Sequence, residues 1–140
     1  MVEYNGQTYG DAVAGAYSDL YGDFHPPPEQ IVCLAGLAGE GPAVEVGSGD
    51  GRVAIPLAAS GVPVVGIDAS AEMTKVLATR AEANRAPVLP VHADASTFTV
   101  PAPVPLVFTV FNTFFLFADE GTQAAFLRRT ARALRADGRL

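Results

Sequence analysis

The sequence has no tryptophan and a single cysteine, Cys33, so no internal disulfide can staple it. Basic residues are scarce too: nine Lys and Arg stand against fifteen Asp and Glu, for a formal net charge of -6. A balance of that sign excludes the broad positive surface that nucleic acid or an anionic membrane would attract. No apolar run approaches the roughly 18 residues that span a bilayer. The polar N-terminus lacks the basic-then-apolar pattern of a signal peptide. These absences lead to the expectation of a cytoplasmic protein whose partner is a small molecule, with no metal, nucleic acid or membrane involved.

What is present suffices for one packed domain: 140 residues, of which 49% are hydrophobic and 17% charged. The four tyrosines all fall in Met1–Phe24, among acidic residues and glycines. That stretch ends in the breaker His25-Pro26-Pro27-Pro28, so residues 1–28 read as a cap and 29–140 as the main domain. From Glu29 onward, Ile31, Leu34, Ala35 and Ala38 repeat at helical spacing until Gly39, Gly41 and Pro42 stop them.

Four short apolar runs follow as candidate strands: Ala43 to Val46, Val62 to Ile67, Val88 to Val91 and Leu106 to Val110. Helical segments separate them. Arg52 to Ala59 is predicted helical despite Pro56, and Ser70 is placed to cap a helix with Met73, Val76, Leu77 and the stem of Arg80 on one face. After the fourth run, Phe126, Leu127, Thr130, Ala131 and Leu134 form a stripe, while Arg128, Arg129, Arg132 and Arg135 read as a solvated face. Gly138 is positioned to end that helix, with Arg139-Leu140 opening a fifth strand. Alternating strands and helices predict an α/β fold, a Rossmann-like doubly wound, mainly parallel sheet with helices on both faces. Ligands bind such sheets at the carboxyl ends of the strands.

The loop after the first run is Glu45-Val46-Gly47-Ser48-Gly49-Asp50-Gly51. Its glycines permit a sharp turn and a close backbone approach to a ligand, and the helix start beyond offers free N–H groups. A dinucleotide fingerprint would want glycine where Arg52 stands, and a P-loop would want a Gly-Lys-Ser/Thr that is absent. Asp68 closes the second run, where a carboxylate can accept from both hydroxyls of a ribose. Asp94 follows the third, and Asn112 lies in the loop after the fourth beside Phe111, Phe114 and Phe115.

The acidic-x-Gly-x-Gly-x-Gly pattern over Val44 to Arg52 resembles motif I of class I S-adenosylmethionine (SAM)-dependent methyltransferases. The resemblance runs from about Tyr17 to Leu140 and is strongest over Ala43 to Ser70. It returns at Leu134 to Leu140, which resembles the family's Leu-x-Pro-Gly-Gly segment with Asp137 in place of the first glycine. It implies SAM as cofactor, held by Glu45, Gly47, Ser48, Gly49 and Gly51, with Asp68 and Ala69 at the ribose. It also implies that Asp94 and Ala95 read the adenine edge and that Met73 lies on the adenine face. Asn112 would contact the acceptor or the SAM amino group, and Tyr17 and Tyr21 resemble tyrosines that close over SAM. Asn112 and Tyr21 are the candidates for a catalytic role. His25 and His92 read as structural. The family often carries Asp at the start of the fourth strand, where this chain has Leu106.

The family's sheet continues past a fifth strand to a sixth and a seventh, which this sequence does not contain. A fragment of a longer protein is therefore expected, binding SAM weakly and turning over little, with an exposed sheet edge open to self-association. An NAD-type nucleotide-binding module and a non-catalytic interaction protein needing a partner are the alternatives.

Overall fold

The computed structural model describes residues 5–16, 22 and 25–140. Tyr17 and Tyr21 lie outside the described residues. The elements are helix α1 (Gly6–Val13), α2 (Pro28–Ala38), β1 (Ala43–Val46), α3 (Ala54–Ala59), β2 (Val64–Asp68), α4 (Ala71–Ala83), β3 (Val88–His92), β4 (Val104–Phe108), α5 (Glu120–Ala133) and β5 (Leu134–Arg139). A 3-10 turn at Thr113–Leu116 lies between β4 and α5.

Local chemistry accounts for the boundaries. Proline at the first position of α2 has no N–H to lose, and Gly39, at φ 58, ends the helix. Pro56 sits in the first turn of α3 for the same reason. β2 starts at Val64 rather than Val62 and ends on Asp68, leaving Pro63, which cannot donate, just ahead of the ladder. β4 spans Val104–Phe108, two residues earlier than the apolar pattern suggested, and its register against β5 shifts around Pro105.

The five strands lie in the order β3-β2-β1-β4-β5, every neighbouring pair parallel. The chain winds outward from β1 to β3, then returns to place β4 on the other side of β1. The loops after β1 and β4 therefore diverge, opening a crevice at the carboxyl ends of the strands. Leu34 and Ala38 of α2 and Ala54, Leu57 and Ala58 of α3 cover one face with Ala43, Val64 and Leu106. On the other face, Phe126 and Ala133 of α5 pack against Val44, Val46, Ile67 and Val107. Each fully buried Val, Leu, Ile or Phe among these stabilises by about 1.5–3 kcal/mol, so the two-sided cover fixes the middle strands.

Two expectations for the C-terminal segment are corrected. The buried stripe of α5 is Phe126, Thr130 and Ala133, whereas Leu127 and Ala131 face solvent. Gly138 does not end the helix. α5 stops at Ala133, and Gly138 lies inside β5, where a Cβ would approach the Val104 carbonyl oxygen to 3.0 Å. The fifth strand is therefore built, not merely begun. No helix among the described residues is long and apolar enough to cross a membrane.

Candidate functional site

The loop after β1 is shaped by three glycines of positive φ: Gly47 at 78, Gly49 at 51 and Gly51 at 83. The requirement is sharpest at Gly47, where a Cβ would lie 2.2 Å from Thr113 Cγ2, in the loop after β4. A Cβ at Gly51 would lie 2.3 Å from Leu77 of α4. Gly49 differs, because no protein atom lies within 4 Å of where its Cβ would be. The amides of Gly47 and Ser48 donate to the Ile67 carbonyl at 2.8 and 3.0 Å, fastening the loop to β2.

Asp68, the last residue of β2, organises the turn. Its Oδ2 accepts from the Gly49 amide at 2.8 Å, and its Oδ1 accepts from the Ser70 amide at 2.9 Å. Each oxygen keeps a further lone pair for a ligand hydroxyl. Burial raises the Asp68 carboxyl above its ordinary range, against the Ser70 and Gly49 N–H donors and His92, which pull it down; Asp11 adds a smaller upward push. Ser70 caps α4 by accepting from the Met73 amide at 3.1 Å, and its hydroxyl donates to Asp11 of α1 at 2.6 Å.

Two other acids lie beneath the loop. Glu45 is the third residue of β1, one short of the strand end, and is only 1% exposed. Burial drives its carboxyl well above the ordinary value; an N–H bond from Ala54 opposes the rise, and the charges of Asp68 and Asp50 add to it. Its Oε2 and the Ser48 hydroxyl are buried without a hydrogen-bond partner. Asp50 is clasped by Arg52, through Nε at 3.2 Å, and by Arg80 of α4. The expectation for Arg80 covered only its aliphatic stem; its guanidinium ties α4 to the glycine loop.

Above these residues opens a cleft enclosing about 100 Å³, lined by the ends of β1 and β2, by Met73, by Ala93 and Ala95 after β3, and by Thr113, Leu116 and Phe117 after β4. Of the residues predicted to hold a cofactor, Gly47, Gly49, Asp68, Ala69, Met73 and Ala95 line it together. Glu45, Ser48 and Gly51 lie under the loop and do not. Asp94 is exposed and turned to its own loop, accepting from the Ser96 amide at 2.7 Å. Asn112 is exposed as well and contributes nothing to the lining, so Thr113 is the polar residue that the β4 loop presents. His92 points to the Ala69 carbonyl, 3.0 Å from its Nε2.

The sequence reading missed one wall. Gly6, Tyr9 and Gly10 of α1 also line the cleft. Their i, i+3, i+4 spacing was available as a signal, together with the Asn5/Thr8 capping box that starts the helix.

A parallel sheet with a glycine loop and a strand-end carboxylate facing a cleft at its switch point defines a nucleotide-type α/β binding protein. The chain belongs, more particularly, to the class I SAM-dependent methyltransferases: the family model described as a methyltransferase domain matches residues 43–138. The CcbJ methyltransferase from Streptomyces caelestis is 33% identical, with a TM-score of 0.83 over 96% of this chain and 56% of that one. The glycopeptide N-methyltransferase MtfA, complexed with sinefungin, matches at 20% identity and a TM-score of 0.72, over 83% of this chain and 49% of that one. A SAM-dependent methyltransferase from Thiobacillus denitrificans, in complex with S-adenosyl-L-homocysteine (SAH), matches at 22% identity and a TM-score of 0.64, over 88% and 52%. At these lower identities the last two show the fold alone. The chain spans about half the length of these structures. No curated protein matches the chain significantly.

Proposed function

We propose that the cleft binds SAM and that the protein transfers its methyl group to a small-molecule acceptor. The observation that carries this reading is the meeting of Gly49 and Asp68 at the cleft wall. The Gly49 amide fixes one carboxylate oxygen, and the space beside Gly49 is left empty by the protein itself. A ribose would take the remaining lone pairs of Asp68, while Met73 and Ala95 would flank an adenine and Gly47 and Gly49 the methionine portion. Asp94, outside the lining, would reach the adenine edge only if its loop turned inward.

Bound SAM would supply an activated methyl group on a sulfonium. Methyl transfer is an in-line displacement, so these residues can act by holding the two reactants at attack distance. The acceptor would enter beside the β4 loop, where Thr113 faces the cleft and Phe111 and Phe115 are exposed. The acidic net charge supports a small-molecule acceptor over a nucleic acid, and the similar MtfA is itself named for a glycopeptide.

Calorimetric titration with SAH tests the reading. Binding that Asp68→Ala abolishes or greatly weakens is expected. Heat with NAD and none with SAH would assign the cleft to a dinucleotide instead.

A further inference from the structure

We propose that Asp11 is a positioning residue that, through Ser70, latches α1 over the cleft and couples its closure to the loop that would hold the cofactor. The proposal rests on the SAM reading above, and α1 lies outside the residues matched by the family model.

α1 opens with a reciprocal cap. Asn5 accepts from the Thr8 amide, and Thr8 accepts from the Asn5 amide, each at 3.0 Å, so its start is satisfied without help from the sheet. One face carries Gly6, Tyr9 and Gly10 into the cleft lining. Asp11, next along, accepts the Ser70 hydroxyl at 2.6 Å across 59 residues of sequence. Ser70 is fully buried, and its amide donates to Asp68, whose other oxygen holds the Gly49 amide. The cap, the start of α4 and the glycine loop are thus joined through two carboxylates, Asp11 and Asp68. Gly10 makes the approach possible, since a Cβ there would stand 2.6 Å from Ser70 Cβ.

With α1 seated, Gly6, Tyr9 and Gly10 form one wall of the cleft, and a ligand there would lie against the helix. Losing a hydrogen bond to a charged group depletes the closed state about tenfold or more. Ligand held beneath α1 should weaken by a similar factor.

The test compares the unaltered chain with Asp11→Ala, Asp11→Asn and Gly10→Ala, using hydrogen exchange of the α1 amides, SAH titration and the thermal midpoint. Asp11→Ala is expected to speed α1 exchange about tenfold and raise the SAH Kd about tenfold, with little change in midpoint, because Asp11 is on the surface. Asp11→Asn keeps an acceptor for the Ser70 hydroxyl and should recover most of the affinity. Gly10→Ala should open α1 with Asp11 intact. Unchanged exchange and Kd in Asp11→Ala overturn the latch. Faster exchange with unchanged Kd shows that α1 does not cover the ligand and also overturns the proposal, as does a midpoint falling in step with affinity. An unaltered chain that binds no SAH overturns the cofactor reading and the gate with it, even where α1 exchange still responds to Asp11→Ala.

Discussion

On the β1–β2 side of the cleft, glycine amides are bound to Asp68 and to the Ile67 carbonyl, and the acids are buried or half-buried. On the β4 side, Phe111 and Phe115 stand 54% and 80% exposed, and Phe114 and Phe117 pack edge-on or tilted against Phe126. The first wall is a fixed set of donors and acceptors, suited to a ligand whose shape never varies. The second offers apolar surface on and beside a short 3-10 turn, which is shaped by backbone hydrogen bonds within its own loop. A cofactor and a variable acceptor would divide between the walls in that way.

The harshest way to break this contrast is to disturb the contact where the walls meet. Gly47→Ala forces a side chain into positive φ, at roughly 1–2 kcal/mol, and drives its Cβ into Thr113, at roughly 1–3 kcal/mol for overpacking. Urea unfolding should register a combined loss of about 2–5 kcal/mol. A loss below 1 kcal/mol would show that Thr113 yields freely and that the walls are not locked together. Asp68→Ala should act next most strongly, on the first wall alone. Hydrogen bonds to a charged group contribute about 1.5–3 kcal/mol each, so losing the Gly49 anchor and the ribose partner should weaken SAH about a hundredfold in calorimetry. A weakening under threefold would contradict its role.

Glu45 probes the same wall through pH. A carboxyl raised in the folded state holds its proton more tightly folded than unfolded. Its stabilisation is therefore full below the ordinary 4.5 and is lost as pH rises through the folded value. Glu45→Gln should flatten that decline, making the variant relatively more stable at pH 8 than at pH 4 in parallel urea titrations. Equal slopes for the two proteins would deny the buried acid this role. The smallest effect belongs to the second wall. Phe115→Ser should change stability by no more than about 0.5 kcal/mol and leave SAH affinity as it was, altering only acceptor KM. A drop in SAH affinity would mean that the aromatic turn serves the cofactor too.

The parts of the fold legible in the sequence are those fixed by local rules. β1, the glycine loop and the Ser70 cap announce themselves through apolar runs, positive-φ glycine and a hydroxyl before a helix. The order of Glu45, Asp68 and Asp94 could also be read, but not their depths. Glu45 sinks under the loop and Asp94 turns outward to Ser96, and both depend on how neighbouring elements pack. Asn112 and Thr113 are adjacent, and only the twist of the 3-10 turn decides which of them faces the cleft. Gly138 was misleading because glycine marks a helix end and a crowded strand equally well; its crowding comes from Leu134 and Arg135 of its own strand and from Val104 of β4, more than thirty residues away. The helix α1 had a local signal, but its docking did not, since Asp11 and Ser70 are distant in sequence.

The Asp50 clasp makes tolerance to substitution unequal among its three members. Without Arg80 or without Arg52, Asp50 still has a cation beside it. Without Asp50, two guanidiniums lose a shared counter-charge at one stroke; the cost falls on Arg52, the buried partner, at about 3–5 kcal/mol, while water takes over much of the more exposed Arg80. Substitution at either arginine should therefore be tolerated better than substitution of the aspartate they share.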